Sequence, residues 1–193
     1  MVRTARKRCE SGIYHIVLRG INRQDIFYEE NDFQRFLETL TRMKSGGEYS
    51  LLGYCLMNNH VHLLIRENTD AVSRIMGRTG TSYAWWYNRK YGRTGHVFQG
   101  RYGSECVEDD AYLLTVLRYI RNNPVKAGIA NRPEDYRWSS IHVYYTGKEH
   151  PEKLTDLDLI LAMMAQKCKK AIQELRVFTQ LFNEDKCLDD NVG

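Results

Sequence analysis

No stretch of the 193 residues is apolar for long enough to cross a bilayer, which takes roughly 20 consecutive residues. A secretory leader pattern is also missing: the chain opens with Arg3, Arg6, Lys7 and Arg8 ahead of its first apolar segment. There is no C-x-x-C pair. The five cysteines (Cys9, Cys55, Cys106, Cys168 and Cys187) are odd in number and scattered, which argues against a disulfide framework or a zinc knuckle and for reduced thiols in a cytoplasm. Nor is there an internal repeat or a low-complexity tract. These absences exclude a membrane span, a disulfide-stapled secreted fold and a repeat array.

What is present is an ordinary globular composition, 42% hydrophobic and 27% charged, in a chain long enough for one domain with an appendage. The net charge of +4 is unevenly spread. Residues 1–130 carry 19 Lys+Arg against 13 Asp+Glu, and the remainder carries 9 against 11. A basic first part fits a polyanionic partner as well as it fits a solvated surface.

Alternating apolar positions predict a strand over Ser11–Arg19, followed by a basic loop to Arg23. Asn31 or Asp32 is expected to cap a helix with Phe33, Phe36, Leu37, Leu40 and Met43 on one side. Strands over Tyr49–Met57 and His60–Arg66 flank Asn58-Asn59 and should form a hairpin. A long helix is expected over Asp70–Tyr91, weakened by Gly77 and Gly80, then short strands over His96–Phe98 and Tyr102–Val107. Asp109-Asp110 should open a helix that Pro124 ends. Leu154–Phe182 reads as helical and the last residues as frayed. The order predicts an α+β fold, an antiparallel ferredoxin-like sheet flanked by helices.

His60-Val61-His62 lies in the hairpin. On a strand both imidazoles share one face while Val61 takes the other. Two neutral imidazoles make half of a metal site. Tyr119 and Asn123 share a helical face and could present a nucleophile and an amide oxygen to that pair, although Tyr112 competes with Tyr119, and His15 reads more simply as a core histidine. Imidazoles with an amide oxygen suit an exchangeable ion such as Mg²⁺ or Mn²⁺. The segment Tyr83–Tyr102 interleaves aromatics with Arg89, Lys90, Arg93 and Arg101, a pattern suited to stacked bases and phosphates, or to a core with a charged rim.

Together these segments resemble the single-tyrosine HUH transposases, and within them the REP-associated, insertion-sequence-200-like branch of bacteria. The resemblance rests on Ser11-Gly12-Ile13-Tyr14-His15, Arg19-Gly20-Ile21-Asn22-Arg23, Tyr54-Cys55-Leu56-Met57-Asn58-Asn59-His60-Val61-His62, Gly95-His96-Val97-Phe98-Gln99-Gly100-Arg101-Tyr102, Tyr119-Ile120 with Asn123-Pro124-Val125-Lys126-Ala127-Gly128, and Asn131–Ser140. It implies a catalytic domain over residues 1–147 with a helical extension over 148–193. It also implies a divalent cation held by His60, His62 and Asn123, and Tyr119 as the nucleophile that cuts single-stranded DNA near hairpins, giving a 5′-phosphotyrosine and a free 3′-hydroxyl. Arg6, Lys7, Arg8, Arg19, Arg23, Arg93 and Arg101 are the expected DNA contacts. Two rival readings stay open: a domesticated hairpin-binding protein that no longer cuts, and a metal nuclease that activates water. Monomer and homodimer are both compatible with the sequence.

Overall fold

A computed structural model describes residues 9–146, 148–149, 151 and 153–165. Strands β1 (Ile13–Arg19), β2 (Tyr49–Met57), β3 (His60–Glu67) and β4 (Gly103–Cys106) form one antiparallel sheet in the order β2-β3-β1-β4. Helices α1 (Glu30–Lys44) and α2 (Val72–Lys90) separate the strands so that the chain runs βαββαβ, the ferredoxin-like order. Both helices cover one face of the sheet. α3 (Asp110–Lys126) covers the other face, against β2 and β3. Two shorter helices, α4 (Ile141–Thr146) and α5 (Leu157–Ala165), follow.

The α1/α2 face packs Tyr14, Ile16 and Leu18 of β1 with Val61, Leu63 and Ile65 of β3 and with Phe33, Phe36, Leu37 and Leu40 of α1. Those α1 positions are the ones expected from the sequence. The α3 face packs Ile13, Cys55, Met57 and Leu64 with Leu113, Val116, Leu117 and Ile120. Because both faces are covered, the central strands are apolar nearly throughout, and any polar side chain on them is forced to find a partner.

Four sequence expectations need correction. α1 is capped by Glu29, not Asn31 or Asp32. Asp32 sits in the first turn, where its carboxylate accepts hydrogen bonds from the Tyr28 and Glu29 amides (2.7 and 3.1 Å) and pairs with Lys90 at the end of α2. Burial alone would raise its pKa. The bonds from Lys90, Tyr28, Tyr91 and Glu29 outweigh burial and hold it below the ordinary carboxylate value.

Residues 96–98 are not a strand. Gly95 and Gly100, at φ of 88° and 65°, turn the chain at either end. The segment instead exchanges single bonds with the end of β1, Ile21 N to Val97 O and Gln99 N to Arg19 O (2.9 and 2.8 Å). Pro124 lies inside α3 rather than ending it. Proline removes its own bond to the carbonyl one turn back but not the bonds of later residues, and Ala127 N still donates to Asn123 O at 2.9 Å. The predicted C-terminal helix starts at Leu157, and its part beyond residue 165 lies outside the described residues. Ahead of it, Asp156 exchanges bonds with Leu51 of β2 and pairs with Lys44 at 2.6 Å.

The loop after β1 is fitted closely to the hairpin turn. Gly20 N donates to Asn59 O, and the Ile26 and Phe27 amides donate to Asn58 O (2.8, 2.7 and 3.0 Å). A Cβ on Gly20 would lie 2.1 Å from the Gln24 carbonyl oxygen and 2.9 Å from Ile26 Cγ2, whereas one on Gly77, mid-α2, would meet nothing within 4 Å. Gly20→Ala should therefore lower the urea midpoint by an amount worth about 1–3 kcal/mol. Gly77→Ala should raise it by up to about 1 kcal/mol. A Gly20→Ala protein as stable as the parent would show the loop to be free to move off the hairpin.

Candidate functional site

His60 and His62 project from β3 to the α3 face, with ring centroids 5.0 Å apart, while Val61 is buried in the opposite core. The period of two places them as the sequence predicts. His62 has no solvent exposure; His60, next to the hairpin turn, is half-buried. Each ring has its Nδ1 engaged. His60 Nδ1 lies 2.6 Å from Asn59 Oδ1, and His62 Nδ1 lies 3.1 Å from Nε2 of His15 on β1.

An amide oxygen only accepts, so His60 Nδ1 carries the proton and Nε2 carries the lone pair. His62 presents Nε2 in the same state when its Nδ1 donates to His15. His15 can then direct its own Nδ1 proton at Glu105 of β4, 3.8 Å away. Both Nε2 atoms are buried within the site. Glu105, His15 and His62 thus form a polar line across three adjacent strands: Glu105 lies directly opposite His15, and His15 diagonally from His62. Burial, and then the neighbouring His15, His60 and Arg19, push the His62 pKa well below its ordinary value, so the ring is neutral and able to ligate.

α3 supplies the facing wall. The Tyr119 ring packs edge-on against His62 and His15, with centroids 5.7 and 5.9 Å apart. It is 3% exposed, more deeply set than a helix-surface tyrosine. One turn on, Asn123 is also buried, and its Nδ2 donates to the Tyr119 carbonyl at 3.4 Å, so that Oδ1 is the atom it could offer to a cation. Lys126 places its ammonium 5.0 Å from the centre of the Tyr119 ring. α3 starts where Asp109 accepts a hydrogen bond from the Tyr112 amide at 2.8 Å, the cap expected from the sequence.

The basic residues divide. Arg19 lies opposite His60 in the β1–β3 ladder, and Arg23 and Arg101 are exposed. Arg101 lines a groove of about 420 Å³ with Leu18, Met76, Gly80 and Phe98. Arg93 is engaged internally, donating to Gln24 Oε1 and Tyr87 Oη (2.9 and 3.2 Å). Of the aromatics, Tyr83 and Tyr87 are core residues, while Trp85 is 62% exposed with the Arg89 guanidinium over it. Arg6, Lys7 and Arg8 lie outside the described residues.

Three site residues escaped the sequence reading. His15 and Glu105 meet His62 only through strand pairing. Lys126 was detectable as the position two turns after Tyr119 on the same helical face.

A ferredoxin-like sheet with paired histidines on its central strand, faced by a helix-borne tyrosine, is the arrangement that the resemblance to single-tyrosine transposases implies. Residues 9–123 match the model of the family described as "Transposase IS200 like", and the chain belongs to that family of DNA-processing enzymes. A Haemophilus influenzae protein described as a REP-associated tyrosine transposase is 27% identical over 115 residues, which cover 54% of this chain and 65% of that protein, less than two thirds of its length. The fold is similar to the solved structure of a REP-associated tyrosine transposase bound to a REP hairpin, with a TM-score of 0.64 and 17% identity over 81% of this chain and 93% of that one.

The depressed pKa of His62 has a measurable sign. As pH falls through about 6.5, the unfolded imidazole takes up a proton that the folded one refuses. Stability in the presence of a chelator should therefore decline below that pH. His62→Asn should flatten the decline in urea titrations on either side of it; an unchanged slope would mean that His62 charges in the folded protein.

Proposed function

We propose that the protein cuts and rejoins single-stranded DNA near hairpins through a covalent bond between Tyr119 and a 5′ phosphate. The observation that carries this reading is the packing of the Tyr119 ring against two buried imidazoles, with an ammonium above it. A tyrosine held only for core packing needs none of these polar neighbours.

The donor set fits a divalent cation, Mg²⁺ or Mn²⁺, held by Nε2 of His60, Nε2 of His62 and Oδ1 of Asn123. When bound, such an ion polarises the scissile phosphate and offsets its developing charge. Neutral imidazoles are the state that coordination requires, and the burial of His62 favours it. Behind them, Asn59, His15 and Glu105 orient the rings, as outer partners do at metal centres. In the transfer, the Tyr119 oxygen bonds to phosphorus, the bond from phosphorus to the 3′ oxygen breaks, and the phenol proton is exchanged for one on the departing 3′-hydroxyl. The linkage is kept in the ester, so a second 3′-hydroxyl can reverse the step elsewhere. Lys126 faces the phosphate as it reaches the ring. Arg19, Arg23 and Arg101 follow the backbone, with Arg6, Lys7 and Arg8 in the same role. The solved relative's hairpin supports a hairpin partner for this chain. Residues 1–147 form the catalytic unit in this reading, and 148–193 an appended helical segment.

A labelled hairpin oligonucleotide with Mn²⁺ tests the proposal. The parent should form a covalent adduct that Tyr119→Phe abolishes. Cleavage surviving Tyr119→Phe would favour a water-activating nuclease, and binding with no adduct a DNA-binding protein. Glu105→Gln should raise the Mn²⁺ requirement by roughly 10–100-fold and recover adduct at excess Mn²⁺; a rate unaffected by Mn²⁺ level would remove the Glu105–His15 line from the mechanism. Arg101→Ala should reduce the salt slope of hairpin binding by about one.

A further inference from the structure

On the opposite face of the sheet, Cys9 converges with two groups from the far end of the matched region, Cys106 and Glu108. Cys9 Sγ, Cys106 Sγ and a Glu108 carboxylate oxygen all lie within 4.8 Å of one another. Cys106 sits opposite Tyr14 in the β1–β4 ladder. It is one residue from Glu105, so strand alternation turns it away from His15 and toward the α1/α2 core. Cys9 is buried and Cys106 partly buried, neither in a disulfide, whereas Glu108 is exposed.

The backbone around them is tightly stitched. Cys9 N donates to the Tyr14 hydroxyl (2.9 Å), Ser11 Oγ donates to Val107 O (2.6 Å), and Val107 N donates to Ile13 O (2.9 Å). The Cys9 thiol points at Ile13 O, 3.1 Å away, and lies 3.2 Å from Ser11 Oγ.

We propose that Cys9, Cys106 and Glu108 form a second cation site, for a thiophilic divalent ion of the Zn²⁺ class. Two thiolates select soft or borderline metals over Mg²⁺ and Mn²⁺, so this site and the histidine pair take different ions. Tetrahedral ligands with Zn–S of about 2.3 Å place the sulfurs about 3.8 Å apart, inside the 4.8 Å within which the three ligand atoms already lie. Three protein ligands leave the fourth position to water. A Cys9–Cys106 disulfide, the rival for the same sulfurs, would give the converging carboxylate no part.

The bound ion would tie three things together: the residue that follows Arg6, Lys7 and Arg8 in the chain, the short edge strand β4, and the start of the helix that carries Tyr119. The sequence alone does not betray the site, because Cys106 and Glu108 lie close together but Cys9 comes from almost a hundred residues earlier in the chain.

The test uses the reduced, metal-stripped full-length protein, with Co²⁺ and then Zn²⁺ as probes. The expected result is one sulfur-ligated Co²⁺, besides any held by the histidine pair, read from sulfur-to-cobalt charge-transfer absorption and bleached by Zn²⁺. The band should be kept in His60→Ala, since histidine-bound cobalt has no sulfur band, and lost in Cys9→Ser and Cys106→Ser. Should either serine variant fail to fold, Glu108→Gln decides, because the side chain is exposed: it should weaken Co²⁺ binding at least roughly tenfold. Absence of the sulfur band, its undiminished persistence in either folded serine variant, its loss in Cys168→Ser, or an unchanged Co²⁺ affinity in Glu108→Gln would each overturn the proposal.

Discussion

An imidazole with no solvent exposure in the middle of a sheet is the constraint on which the site rests. Leaving the polar atoms of His62 unsatisfied would cost about 1–3 kcal/mol. β1 meets that demand by bringing His15 Nε2 to 3.1 Å, and β4 extends the line to Glu105. The strand order β3-β1-β4 is what makes this line possible. A four-residue edge strand buries little apolar surface, so its contribution lies as much in the carboxylate it delivers as in packing. Burial, helped by the neighbouring His15, holds His62 neutral, the bond to His15 fixes its orientation, and Tyr119 packs against the two rings so placed.

The sequence revealed what depends on local period and missed what depends on pairing. The Tyr49–Met57 and His60–Glu67 strands were legible because both flank Asn58-Asn59, and alternation alone put His60 and His62 on one face. The apolar side of α1 followed from spacing, and its cap did not, because Glu29 and Asp32 share the role. His15 looked like an ordinary core histidine, since nothing near it in the chain says that β1 lies beside β3. Pro124 had a double effect. Taken as a helix end, it removed the last turn of α3 and, with that turn, Lys126, the residue whose ammonium lies over the tyrosine. The cysteines failed for the reason His15 did: Cys9 and Cys106 stand next to each other only once β1 pairs with β4.

The two faces of the sheet carry different chemistry, and α3 connects them. Its start follows Cys106 and Glu108, its middle carries Tyr119, and its last turn carries Asn123 and Lys126. Residues 9–123, which match the family, end within that last turn. The helix is held by side-chain packing along Leu113, Val116, Leu117 and Ile120, so a displacement at its start would be transmitted to the tyrosine as a rigid-body shift rather than absorbed in a loop.

Exposure along the site gives a direction of approach. His62 and Tyr119 are buried, His60 is half-buried, and Asn58 at the hairpin tip is open to solvent. Arg19 is paired with His60 at that same end, the exposed Arg23 follows it in the loop clamped to the turn, and Arg19 bonds through its carbonyl to the segment that leads to Arg101. Positive charge therefore concentrates where the imidazole pair is nearest to water. In the proposed reaction a phosphodiester drawn to that end would meet His60 first and find the Lys126 ammonium beside the Tyr119 ring. An ammonium that turned from the ring to that phosphate would exchange a weak contact for a charge-assisted one, so the same lysine could hold the tyrosine before the substrate arrives and the phosphate afterwards.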